Sequence, residues 1–247
     1  MNNNQQFDYE ESPIYQDSPE QRTYMATAFG ALMRKVYVWM TLALVVTGLT
    51  ALYIASNVGI MQAIMTNSFA FWLLVIGELA LVLVLSARIN KMSFASAGVL
   101  FILYSVLNGV TMSFIFLAYT KSSIATAFFV TAGTFGAMSL IGYNTKKDMT
   151  SIGRYLLFAL IGLIIATIVN IFIGNSMLDL IISAIGVLIF VGLTAYDTQK
   201  IKRMFLQYGS DVNESTQKLA LMGSLNLYLD FINLFLYLLR FFGRSNN

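Results

Sequence analysis

The chain has 247 residues, 57% hydrophobic and only 11% charged, with a mean hydropathy of +0.71 and a net charge of +3. Soluble domains carry about 25% charged residues. One water-soluble core cannot hide this much apolar side chain, so the composition describes a polytopic membrane protein. Cysteine and histidine are both absent. That excludes disulfides, thiolate chemistry and imidazole-ligated zinc, and leaves carboxylates as the source of any pH response.

Residues 1–33 hold a run of Asn2, Asn3, Asn4, Gln5 and Gln6, five acids, and both prolines, Pro13 and Pro19. No apolar stretch precedes a cleavage site, so this segment is expected to be a disordered cytoplasmic tail and not a cleaved leader. A membrane domain over 34–243 and a short C-terminal tail over 244–247 follow. The domain contains seven apolar runs, at 36–55, 68–87, 94–118, 123–143, 155–172, 177–196 and 219–242. Each is about 20 residues long, enough to cross roughly 30 Å of hydrocarbon. Links of a few residues, 119–122 and 173–176, make antiparallel neighbours. Apolar runs without strict alternation exclude a transmembrane β-barrel. The expected fold is an all-α bundle of seven transmembrane helices. In the fourth run, Ala132 with Gly136 and Gly133 with Ala137 place small residues four apart, a spacing that suits close helix packing.

Twelve basic residues fall on one side of the bilayer: Arg22, Arg34, Lys35, Arg88, Lys91, Lys146, Lys147, Arg154, Lys200, Lys202, Arg203 and Lys218. Three, Lys121, Arg240 and Arg244, fall on the other. The excess marks the cytoplasmic side, putting the N-terminus inside and the C-terminus outside. It also accounts for the net charge without nucleic acid as a partner.

The last run is the most polar. Asn226, Asp230, Asn233 and Tyr237 recur at helical spacing on one face, which Gly223 extends by a turn. Polar groups avoid lipid, so this face is expected to look into the bundle, with the last helix at its centre. A carboxylate at membrane depth costs roughly 2.5–3.5 kcal/mol on insertion scales, so Asp230 is a candidate functional residue. A purely structural hydrogen-bond network is the alternative, although amides alone would suit that purpose. Asp197 closes the sixth run in Tyr196-Asp197-Thr198-Gln199, and Arg88 closes the second on the same side, within expected reach of Asp197. Glu78, inside the second run, needs a partner or a proton. Asp179, near the outer end of the sixth, is expected to be solvated.

Two aspartates on adjacent spans raise the possibility of an intramembrane aspartyl protease. Tyr196-Asp197 fits its first motif, but Leu227-Tyr228-Leu229-Asp230 lacks the glycines of the second, and no membrane proline supplies the third. The last run has no lysine for a retinal. An enzyme is therefore not expected.

The segment Leu227-Tyr-Leu-Asp-Phe-Ile-Asn-Leu-Phe-Leu-Tyr-Leu-Leu-Arg-Phe-Phe-Gly243 resembles the C-terminal signature of the Bax inhibitor-1 (transmembrane Bax-inhibitor-motif) family, in its bacterial form. Tyr196-Asp197-Thr198-Gln199 resembles the family's sixth-helix motif. The resemblance covers residues 30–243 and implies a seven-helix bundle with the last helix central. It further implies a pH-sensitive calcium leak in which Asp197 and Asp230 form a hydrogen-bonded pair, with Arg88, or nearby Lys91, as the latch of the closed state. Two departures stand out: a long N-terminal tail, and a long loop over 197–218.

The leading expectation is a calcium leak channel gated by Asp197 and Asp230, with Glu78, Asn226 and Asn233 supporting the ion pathway. Carboxylate and amide oxygens suit a hard cation, and so few ligands bind it weakly, as a leak requires. No tightly bound cofactor is expected beyond the transported Ca²⁺. The alternative is a non-conducting regulator that binds a membrane protease or another membrane protein through the tail and the 197–218 loop.

Overall fold

The computed structural model describes residues 19–208 and 213–244. The chain folds as helices α1 (Pro19–Ser56), α2 (Val58–Thr66), α3 (Ser68–Arg88), α4 (Phe94–Met112), α5 (Ile115–Ala118), α6 (Lys121–Asn144), α7 (Thr150–Ile173), α8 (Ser176–Tyr208) and α9 (Glu214–Phe242), with a 3-10 turn at Ile89–Lys91. Seven of the helical segments are long and apolar enough to cross a membrane. The seven expected spans are therefore present; α8 is the sixth and α9 the seventh.

α9 is central. In its most apolar stretch 67% of residues are buried, against 39% for α8 and 6% for α3, which lies at the periphery. α9 packs against α8, α1, α6 and α4. Lipid is as apolar as leucine, so close packing and hydrogen bonds must hold such a bundle together. Both are visible. Ser224 Oγ donates to Val36 O in α1 at 2.9 Å, and the hydroxyls of Tyr228 and Thr47 lie 2.7 Å apart. Gly109 lets α4 approach α1 so closely that a Cβ there would meet Thr47 O at 2.6 Å.

Helix ends follow local chemistry. Asn213 and Thr216 form a capping box at the start of α9. α7 stops at Gly174, which takes a left-handed φ of 67° that other residues rarely adopt. The buried Asn170 side chain then accepts from Asn175 N as the chain turns into α8.

Three expectations need correction. The tail expected over 1–33 ends earlier: α1 begins at Pro19, and Leu32 and Met33 are buried, 1% and 3% exposed. Mixed polar sequence hides the apolar stripe that docks the start of the helix; residues 1–18 lie outside the described residues. The 197–218 loop is mostly helix, because α8 runs on to Tyr208 and α9 starts at Glu214. Within it, 209–212 lie outside the described residues, as do 245–247 of the C-terminal tail. The third span runs over Phe94–Ala118 as expected, with a turn after Met112 between α4 and α5. Finally, a Cβ at Gly133 or Gly136 meets nothing within 4 Å, and Ala132 and Ala137 are exposed. The close approach in α6 comes instead from Gly142, which sits directly on the Ala195 backbone of α8.

Candidate functional site

Three members of the α9 stripe, Gly223, Asp230 and Tyr237, face α8. Near the N-terminal end of α9, Gly223 receives Ile201 of α8, whose side chain would lie 3.1 Å from a Cβ at that glycine. Toward the other end, the Tyr237 ring lies over Gly186 and stacks on Phe190, centroids 5.8 Å apart. Between these contacts Asp230 faces Asp197. The two carboxylates lie within Coulombic reach of one another, and both lie within reach of Lys200. Asp230 is 5% exposed and Asp197 half-buried. Among the described residues, Asp230 Oδ2 is fully buried without a hydrogen-bond partner, as is Ser139 Oγ of α6.

The cation at the pair is Lys200, one turn beyond Asp197 on α8, with Nζ 5.9 Å from the Tyr196 ring centre. Arg88 does not take that place. Among the described residues no ion pair joins it to Asp197; it is exposed at the end of α3, a helix that packs mainly on α4. Lys91 forms no such ion pair either. A basic helix end in the sequence carries no information about which neighbour lies beside it.

Neither asparagine bonds to Asp230 among the described residues. Asn233 Nδ2 donates to Leu229 O of its own helix at 2.8 Å, and both asparagines are half-buried on the face they share with Asp230. Glu78 finds a different partner: Thr111 Oγ1 of α4 donates to it at 2.7 Å. Thr111 also donates to Asn108 O, and the Asn108 side chain accepts from the Tyr228 hydroxyl at 3.1 Å. Thr47 donates onward to Ser105 O at 2.9 Å. A polar chain thus runs from half-buried Glu78 through α4 to α9 and α1. Its members Thr47, Asn108, Thr111 and Tyr228 are not singled out by the sequence reading; isolated polar residues inside apolar runs are the only signal it offers for them. Asp179 is ion-paired with Arg240 at 3.5 Å, not merely solvated, and ties together the ends of α8 and α9. Half-exposed pairs of this kind contribute about 0–1 kcal/mol.

The sixth-span motif divides its labour. Tyr196 covers Gly153 of α7, and Asp197 faces Asp230. Gln199 accepts from Met149 N at 2.9 Å and donates to Lys147 O at 2.8 Å, which clamps the α6–α7 loop onto α8. Arg203 adds contacts to Gln199 at 2.7 Å and to Asp148 at 2.6 Å. Hydrogen bonds from Thr150, with Arg203 beside it, hold the Asp148 carboxyl down at about 2. Among the described residues no three acids cluster as a resident metal site would require. The two aspartates supply at most four carboxylate oxygens, fewer than the six to eight ligands calcium prefers.

A seven-helix integral membrane protein with a paired-acid core is the class defined by fold and site. Residues 30–247 match the family described as "Inhibitor of apoptosis-promoting Bax1". The chain is similar to "Inner membrane protein YbhL" of Escherichia coli, with 49% identity over 211 residues covering 85% of this chain and 90% of that protein. An uncharacterized Borreliella burgdorferi protein is 45% identical over 215 residues, covering 87% of this chain and 92% of its own. The chain belongs to the Bax inhibitor-1 family.

Proposed function

We propose that this protein is a proton-sensitive leak for calcium and similar cations, gated where α8 meets α9. The observation that carries this reading is the unpartnered carboxylate oxygen of Asp230, buried in the central helix opposite Asp197. A buried acid with one oxygen unpaired among the described residues is costly as mere structure and useful as a site that binds protons and cations in turn. Two neighbouring carboxylates in a low-dielectric site titrate as one unit. When both are ionised they attract Lys200, and the attraction between Lys200 of α8 and Asp230 of α9 holds the two helices together at the pair. A proton weakens that attraction and frees the passage, and the same proton removes charge that draws in a divalent cation. Leak is therefore expected to rise in mild acid and to fall again in stronger acid.

The bilayer in question is proposed to be a bacterial inner membrane, as the name of the Escherichia coli relative indicates for that protein. The alternative, a regulator of a membrane protease or another membrane protein, draws on a long 197–218 loop. Most of that segment is helix, which removes part of its support.

Purified protein in calcium-loaded liposomes tests the reading. Efflux above that of protein-free liposomes, changing across pH 5–8, is expected; an absence of efflux would favour the regulator.

A further inference from the structure

At the end of the bundle where α9 finishes, the helices part. A cavity of about 370 Å³ opens between α1, α4, α6 and α9, walled by Gly48, Leu52, Met112, Phe128, Phe231 and Phe235. Leu52 and Phe128 at its edge are 51% and 43% exposed, so it faces the hydrocarbon sideways. Its lining is apolar except at two places. Thr47 lies against the central polar chain, and Lys121 stands in the first turn of α6.

Lys121 has company. The backbone of Arg244 is tied to the same turn, with Thr120 N donating to Arg244 O at 3.3 Å and Arg244 N donating to Ser123 Oγ at 3.0 Å. Both basic residues are exposed, and neither has an ion pair among the described residues. Asp179, the acid at this end of α8, is engaged by Arg240. Two cations with no ion pair among the described residues thus stand together, Lys121 in the wall of the apolar slot and Arg244 with its backbone tied to the same turn, at the positive end of a helix dipole.

We propose that this slot binds an anionic phospholipid, with one acyl chain along Gly48, Phe128 and Phe231 and the phosphate held by Lys121 and Arg244. Within the bilayer, hydrocarbon chains are the abundant apolar occupants. A zwitterionic headgroup brings its own cation and gains less from the two basic side chains than an anionic one does. Lipid binding of this kind is independent of conduction, since it needs only the cavity and its charged rim.

Native mass spectrometry of the full-length protein tests it, using phosphatidylglycerol and phosphatidylcholine with identical chains. Wild type should retain phosphatidylglycerol roughly thirtyfold better, as two surface cations imply. Lys121→Gln combined with Arg244→Gln should bring the two lipids level without changing thermal unfolding. Gly48→Leu should lower retention of both lipids several-fold, because a Cβ at Gly48 meets nothing within 4 Å and the side chain would fill the slot. Ala125→Leu, on the α6 wall, should do the same if Gly48→Leu disturbs α1. Equal retention of the two lipids by wild type, phosphatidylglycerol retention unchanged in these variants, or glycerol phosphate without chains bound in the lipid's place would each overturn the proposal.

Discussion

Asp230 keeps one oxygen unsatisfied in the most buried helix of the bundle. An unsatisfied buried polar atom costs about 1–3 kcal/mol, and more when it is charged, so this residue carries a larger burden than Ser139, whose unpaired buried oxygen is neutral. Tyr228, two positions earlier, is fully buried yet bonds to both Thr47 and Asn108. Asp148 marks the opposite extreme, exposed and held at about 2 by Thr150 and Arg203. Its carboxyl lies below the usual value of 3.8, so its stabilisation of the loop is complete above that value and is lost only as pH falls toward 2. The loop clamp therefore stays intact across pH 5–8. Asp148→Asn is expected to leave the shape of the flux profile over that range unchanged; a displaced profile would assign part of the pH response to the loop. Asp230 is legible in the sequence because a lone acid in an apolar run has no cheap explanation. The partner of Glu78 is not legible, since a threonine hydroxyl on α4 carries no charge signal to betray the pairing.

Element boundaries show where hydropathy stops being informative. The apolar run of the sixth span ends at Tyr196, but the helix continues through Lys200, Lys202 and Arg203 to Tyr208. No proline or glycine interrupts it there, and the basic side chains find acceptors: Lys202 donates to Tyr143 O at 2.8 Å, and Arg203 reaches the α6–α7 loop. Length and hydropathy locate the hydrocarbon crossing, not the end of the hydrogen-bonded helix. The glycines of α6 behave in a parallel way. Spacing of four flags Gly133 with Ala137 and Gly136 with Ala132, whereas burial against α8 belongs to Gly142. Spacing identifies a possible face but not which face meets a neighbour. Gly142→Leu is accordingly expected to force α6 from α8 and to destabilise the protein by about 1–3 kcal/mol, the usual cost of overpacking. Gly133→Leu should be nearly neutral. Thermal unfolding in one detergent compares them, and equal losses would contradict the packing described here.

Across the whole molecule, the seven spans and the central last helix are readable from apolar runs and the polar stripe, because a bilayer restricts what an apolar segment can do. The basic asymmetry leads to the expectation that the end of α9 lies outside. A reporter active only in the cytoplasm, fused after Asn247, is expected to be silent, and a signal from it would invert the assignment. What the sequence leaves open is which charge meets the acid pair, since that depends on the lateral order of helices: Arg88 sits on a peripheral helix, while Lys200 sits beside Asp197 on α8. The proposed gate therefore depends on Asp197, Asp230 and Lys200 acting together. Calcium efflux from liposomes at pH 5–8, measured for wild type, Asp230→Asn and Lys200→Gln, tests it most directly. Wild-type efflux should vary with pH, Asp230→Asn should flatten that dependence, and Lys200→Gln should raise efflux at the alkaline end. Efflux from Asp230→Asn that follows the wild-type pH profile would contradict the gate.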